Sequence, residues 1–239
     1  MDPQSAVEKN GKDVPVLDQK MHRRKFLLFS GMTASAVALA AVGCNKDDNN
    51  NNDGVNLGSG DTGILNYAFA LEQLEAAFYT QVMATPYSGI TAAESAYLMD
   101  IRDHEIAHRE FFRNALGSNK IQDLEVNFSS IDFTKRDSVL ATAKAFEDLG
   151  VAAYNGAGKL ITNPTYLLLA GKIVSVEARH AALIRDLISN GSFADLTSLS
   201  PLGANNANGL DGALMPKDVL AIAGTYLKTQ VNANNLPTS

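Results

Sequence analysis

The 239-residue chain contains a single cysteine, Cys44, so no disulfide can form within it. It is also short of positive charge beyond its leader. The first 43 residues hold six Lys/Arg and four Asp/Glu, which leaves 14 and 22 in the remainder and a net charge there of about −8. That balance argues against nucleic acid as a partner. No alternating apolar and polar run of useful length is present, which argues against a sheet. What the chain does have is helical periodicity and 46% hydrophobic residues, enough for one full-sized core with a leader and a tail to spare.

The leader, residues 1–43, reads as a signal peptide. His22-Arg-Arg-Lys-Phe-Leu-Leu28 opens a mildly apolar run through Val42 that ends in Ala41-Val-Gly-Cys44. A basic start, an apolar middle and small residues before the break describe a secretory signal rather than a membrane span. Arg23-Arg24 with Phe26-Leu27 resembles a twin-arginine export motif, with His22 where Ser or Thr usually stands; an ordinary secretory signal is the alternative. Ala-Val-Gly-Cys resembles a bacterial lipobox, in which Cys44 becomes lipidated and N-terminal. Residues 1–20 read as an unstructured lead-in, with Met21 as an alternative start. Residues 44–60, rich in Asn, Asp, Gly and Ser, are too polar to pack and read as a disordered tether. The expectation is an exported lipoprotein of the cell envelope, held by acyl chains on the periplasmic face or the outer surface.

Four helices follow. The first, from about Ile64 to Met83 with Asp61 or Thr62 as cap, has a seam of Leu65, Phe69, Glu72, Ala76, Tyr79 and Met83. Glu75 lies in the adjoining row, so periodicity leaves both acids open. The second begins at the capping box Thr91-Ala-Ala-Glu94, stops at Gly117 and has a seam through Leu98, Ile101, Glu105, His108, Phe112 and Ala115. Residues 118–134 form a link long enough to cross the length of a bundle, which makes the second and third helices parallel. The third runs from Lys135, capped by Thr134, to Ile161, with a seam of Leu140, Ala143, Glu147, Val151 and Tyr154. Gly150, Gly156 and Gly158 weaken it by roughly 1 kcal/mol each relative to Ala, which points to close approach of a neighbour or ligand. Asn163-Pro164 opens the fourth helix, which runs to about Ser189 with a seam of Ile173, Glu177, His180, Ile184 and Leu187. Residues 191–239 read as a loop with a short fifth helix, Lys217 to Lys228.

The bundle is internally repeated, since Glu72 to Glu147 spans 75 residues and Glu105 to Glu177 spans 72. Four glutamates and two histidines, each in the inward seam of its helix, match a binuclear carboxylate site, with a Glu-x-x-His from two helices and a Glu from each of the others. Residues three apart on a helix rise about 4.5 Å, so Glu105 and His108 address neighbouring points of one centre. An unpaired carboxylate in an apolar interior costs several kcal/mol and must be protonated, paired or metal-bound. Oxygen-rich ligation with two imidazoles suits two iron ions, or manganese, better than a structural zinc. Tyr79 and Tyr154, each seven residues after a ligand glutamate, read as hydrogen-bond donors to ligand carboxylates. His104-Glu-Ile-Ala-His108 also fits a zinc-protease motif, but a third ligand and a strand are lacking, and His104, about 100° off the seam, reads as a partly exposed polar residue.

The stretches Gly63 to Tyr79, Asp103 to His108 and Phe146 to Ala157 resemble the ferritin-like family that includes desiccation-related proteins, and more distantly rubrerythrins and bacterioferritins. The resemblance implies an all-α four-helix bundle over residues 61–190 and a di-iron centre liganded by Glu72, Glu105, His108, Glu147, Glu177 and His180. In the expected arrangement Glu147 and another carboxylate bridge the metals, and dioxygen or peroxide is the oxidant. A non-catalytic envelope stress protein is the alternative function, and a homodimer is left open.

Overall fold

The computed structural model describes residues 54–238; Cys44, the leader and most of the polar run lie outside the described residues. Its long helices are α1 (Gly60–Ala84), α2 (Ala92–Leu116), α3 (Arg136–Gly158) and α4 (Pro164–Ile188), with a short α5 (Pro216–Ala223). Two short strands, β1 (Val55–Asn56) and β2 (Val231–Asn232), pair in parallel. No helix among the described residues is long and apolar enough to cross a membrane.

Local signals set most helix ends. Thr91 and Glu94 form the reciprocal capping box that starts α2, and Gly117 ends it at φ 54°. Asn163 caps α4 by accepting from Thr165 N–H, with Pro164 in the first turn, where its missing N–H is not needed. Four ends differ from expectation, and at the two starts the expected capping side chain bonds elsewhere. Helix α1 starts after Ser59, while Asp61 accepts from the N–H groups of Thr162 and Asn163, both at 2.8 Å, and so pins the α3–α4 turn. Helix α3 starts after Lys135 and ends at Gly158 rather than Ile161; the Thr134 hydroxyl donates instead to Asp132 at 2.6 Å. Helix α5 ends at Ala223, and a 3-10 turn over Gly224–Tyr226 takes the place of its expected last turn.

Side-chain contacts give the helix directions. Tyr79 meets Glu147 and Tyr154 meets Glu72, so α1 and α3 are antiparallel. Arg113 stacks over Phe69 while His108 faces Glu72, so α1 and α2 are antiparallel too. Helices α2 and α3 are therefore parallel, and residues 117–135 cross the length of the bundle. Arg136, at the start of α3, locks this arrangement by donating at 2.7 Å both to Glu94 in the first turn of α2 and to the Leu187 carbonyl at the end of α4.

The crossing link and both ends of the described chain cover α1, which is buried on nearly every side. Asn66 donates to the carbonyls of Leu57 and Asn119 and accepts from Ile121 N–H, so one buried amide ties two segments, the N-terminal stretch and the crossing link, to α1. The expected tether thus ends earlier than residue 60: Val55 and Asn56 pair with β2 and Leu57 is fully buried. Composition missed this because a single well-placed Leu in a polar run is enough to dock it.

The C-terminal segment packs on α3 at a point made bare for it. Leu214 N–H donates to the Ala152 carbonyl at 2.9 Å, Asn155 donates to Gly212 O at 2.8 Å, and a Cβ on Gly156 would lie 1.8 Å from Leu214 O. Gly158 would meet only Leu167 at an ordinary 3.8 Å, so it has no such reason to be glycine. Gly156→Ala is expected to cost about 1–3 kcal/mol, whereas Gly158→Ala is expected to be neutral or stabilising by up to about 1 kcal/mol. Thermal unfolding of the two variants checks this; equal midpoints would remove the close-packing account of Gly156.

Candidate metal centre

The inward seams bring six residues together in the middle of the bundle. Glu72 (α1), Glu105 (α2), Glu147 (α3) and Glu177 (α4) are each 0% exposed, and His180 is buried. They form two groups that could hold a metal ion: Glu72, Glu105, His108 and Glu177, and Glu105, Glu147, Glu177 and His180. Within each, one ligand atom from every residue lies within 4.8 Å of all the others. Glu105 and Glu177 belong to both groups. They are the carboxylates that would serve two ions if both groups were filled, and Glu147, expected to bridge, belongs to one group only. The Glu-x-x-His glutamates lie between the two histidines because α2 and α4 face each other across the bundle, a rotation that spacing along one helix does not reveal.

The repeated halves meet about a pseudo-two-fold axis. His108 Nδ1 lies 2.9 Å from Glu177, 3.5 Å from Glu72 and 3.6 Å from Glu105. His180 Nδ1 lies 2.9 Å from Glu105, 3.4 Å from Glu147 and 3.5 Å from Glu177. The tyrosines exchange in the same way: Tyr79 donates to Glu147 at 2.5 Å and Tyr154 donates to Glu72. Each thus holds one terminal carboxylate through one oxygen and leaves the other free.

Those free atoms decide whether the residues suit a metal pair. Glu72 Oε2, Glu147 Oε2, both oxygens of Glu105 and of Glu177, and Nδ1 of both histidines are buried without a hydrogen-bond partner. Eight orphaned donor atoms in a volume this small would be a severe cost in a finished core. Six oxygens and two imidazole nitrogens are a donor set for two first-row cations of the iron or manganese type. The residues fit the group.

Without cations, protons must serve. Burial pushes Glu105 up to about 8, with the Glu177 charge adding to it, and burial likewise raises Glu147 to about 7. Burial opposes ionisation of Glu177 as well, but His108 and His180 flank it and hold it down at about 2. Burial works against the His180 cation, yet Glu105 and Glu147 raise it to about 12. His108 is raised in the same sense, burial being outweighed by Glu72, Glu105 and Glu177.

Two residues break the symmetry. His104 lies exposed in α2, with its Nδ1 2.9 Å from Nε2 of His180. A ring nitrogen there fixes the orientation of the ligand imidazole, a role that its off-seam position did not suggest. Its repeat position, 72 residues on, is Val176, so His108 has no such support. His104 is in neither metal group, which leaves the protease motif without a site. The other exception is Glu75, which is buried but also in neither group. Its repeat position, 75 residues on, is Gly150, and a Cβ there would lie 3.1 Å from Glu75 Oε1. One half supplies the side chain and the other the space for it. Burial, with Glu105 and the other centre carboxylates adding, raises Glu75 well above the usual range and keeps it neutral.

The family model for the ferritin-like domain matches residues 60–190, more than half of the chain. The chain belongs to the ferritin-like domain family. None of the curated proteins matches it significantly. The family match over this ferritin-like domain begins with α1 and ends just after α4, so it contains all six clustered residues and stops before the C-terminal segment that packs on Gly156. The paired helices and the long crossover agree with that membership.

Between pH 6.5 and 8 the folded, metal-free ferritin-like domain keeps a proton on Glu105 and one on His180 that the unfolded chain has released. Its stability therefore falls as pH rises through this window, by about 1.4 kcal/mol per pH unit for each fully retained proton. Thermal midpoints of chelator-treated protein are expected to fall from pH 6.5 to 8. With manganese or iron(II) present the trend is expected to reverse, because ligation displaces those protons. A metal-free midpoint that stays level over this range would refute the coupled cluster.

Proposed function

We propose that this protein is an exported, lipid-anchored ferritin-like protein that holds a binuclear iron or manganese centre and reacts with a small oxidant, dioxygen or peroxide, under oxidative or desiccation stress. The observation that carries the reading is the pair of overlapping ligand groups that share Glu105 and Glu177. Four carboxylates balance two divalent cations and leave a neutral cluster in the core, which removes the cost of burying the charges singly. When bound, such a metal pair supplies an open coordination position and electrons for a small oxidant.

The chain's own residues set the terms of that chemistry. Glu105 and Glu177 would serve both metal positions, while Glu72 with His108 and Glu147 with His180 would each serve one. Tyr154 and Tyr79 hold the outer oxygens of the terminal carboxylates and keep an O–H at each end of the centre. His104 steadies His180 from the surface side. The leader and Cys44 supply the support for export and acylation, and twin-arginine export of a folded protein would let the metals load before secretion. The anchor would be lipid inserted into a membrane, with the net negative mature chain facing outward.

Elemental analysis of protein purified without added metal or chelator, followed by anaerobic iron titration, is expected to find about two metal ions per chain, as the two four-residue groups imply. Glu105→Ala and Glu177→Ala, each common to both groups, are expected to abolish binuclear uptake, and Glu72→Gln to weaken one position. Glu75→Gln should leave the metal content unchanged, since Glu75 lies outside both groups. Full metal content in both shared-carboxylate variants would sink the assignment. Absence of metal and of uptake in the unmodified protein would favour the non-catalytic stress-protein reading.

A further inference from the structure

The two ends of the centre are packed differently. At the Tyr79–Glu147 end, Phe78 is wedged among Phe128, Phe133 and Phe146, with ring centroids 6.0, 5.9 and 5.1 Å away. Phe128 and Phe133 come from the crossover link, and Tyr226 closes over Phe146 at 4.8 Å. That end is sealed by aromatic rings. At the Tyr154–Glu72 end there is instead a cavity of about 40 Å³ among all four long helices. Its lining runs from exposed Ala115 and half-buried Leu169 at the surface to buried Phe112, Ile173 and Tyr154. Tyr154 is the residue whose hydroxyl donates to Glu72, so this one side chain links the wall of the hollow to the Glu72–His108 half of the centre.

No charged residue lines the cavity, and its only polar side chains are three tyrosines. The Tyr154 hydroxyl is engaged by Glu72, and the Tyr67 hydroxyl is buried without a partner. A volume of this kind exceeds the ~10–15 Å³ that one water requires, but a water also needs two to four polar partners, and apolar cavities stay dry. It is far below the roughly 150 Å³ of an apolar cavity that admits benzene. Size and lining together select a small apolar molecule. Hydrogen peroxide would have to give up hydrogen bonds to water at both O–H groups, with at most the Tyr67 and Tyr166 hydroxyls in return, a net cost.

We infer that this cavity is the binding and entry site through which dioxygen, an apolar diatomic, reaches the Glu72–His108 side of the centre. The inference rests on the binuclear reading and narrows it, because it makes dioxygen rather than peroxide the oxidant that this route admits. It also makes the two metal positions unequal: one faces the hollow, and the other lies behind the aromatic seal beside the His104–His180 pair.

Xenon is the probe for the site, and crystals pressurised with it should show the gas in the cavity of the unmodified protein. Ala170, a half-buried lining residue of α4, is the position to fill. Ala170→Phe is expected to lose the xenon, keep full iron uptake and slow the oxidation of loaded iron(II) by dioxygen roughly tenfold through restricted access. Its oxidation by hydrogen peroxide is expected to change by less than twofold. Should that variant fold poorly, Ala115→Phe at the exposed rim supplies the same comparison. Iron uptake without xenon in the cavity, or filled variants that react with dioxygen at the unmodified rate, would overturn the route alone. Absence of iron uptake in the unmodified protein would overturn the parent reading and the route with it.

Discussion

Four carboxylates converging in an apolar interior are the constraint on which the rest of this fold depends. Like charges at such distances cannot all persist without cations, so the centre must take protons or metals, and every nearby device serves one of those needs. The tyrosines each neutralise one outer oxygen with an O–H. The histidines stand between glutamates, where they accept either a proton or a metal. The Gly150 face accommodates the neutral Glu75 carboxyl. Beside Glu147 on α3, Asp148 receives both Arg185 and Lys144, so another buried acid is paired with cations and belongs to neither ligand group.

The repeat that builds the centre has diverged where equivalence would be a hindrance. Ligand distances in the two halves agree to 0.1 Å, yet Glu75 is matched by Gly150, and His104 by Val176. At Gly150 the side chain that would crowd Glu75 is absent. Segments outside the repeat complete the difference. The crossover link brings phenylalanines to one end, and the C-terminal segment lies against α3, so the halves meet different neighbours despite a shared ligand geometry.

What could be read in the chain before folding was whatever depends on neighbours in sequence. The capping box at Thr91, the Asn163-Pro164 start and the stop at Gly117 are local chemistry, and all appear where the residues place them. The repeated Glu and Glu-x-x-His spacings located the helix faces that now meet in the clusters. The seam also correctly separated inward from outward positions along most of α2 and α4. What escaped depended on rotation of one helix against another. Asp61 looked like a cap but bonds the α3–α4 turn instead. Which glutamates lie between the two histidines is settled by α2 facing α4. Leu57 and His104 carried almost no pattern of their own, one inside a polar run and the other off the seam.

The division of the ligands between the helix pairs also bears on how the protein folds. The hairpin of α1 and α2 carries Glu72, Glu105 and His108, and that of α3 and α4 carries Glu147, Glu177 and His180. Each hairpin is stitched by contacts close in sequence, which form early and at little entropic cost. Neither holds a complete ligand group, since the first requires Glu177 and the second requires Glu105. The centre therefore comes into being only when the two hairpins dock. Metal present during folding would act on that late event and on the unfolding rate, and leave the birth of the individual hairpins untouched.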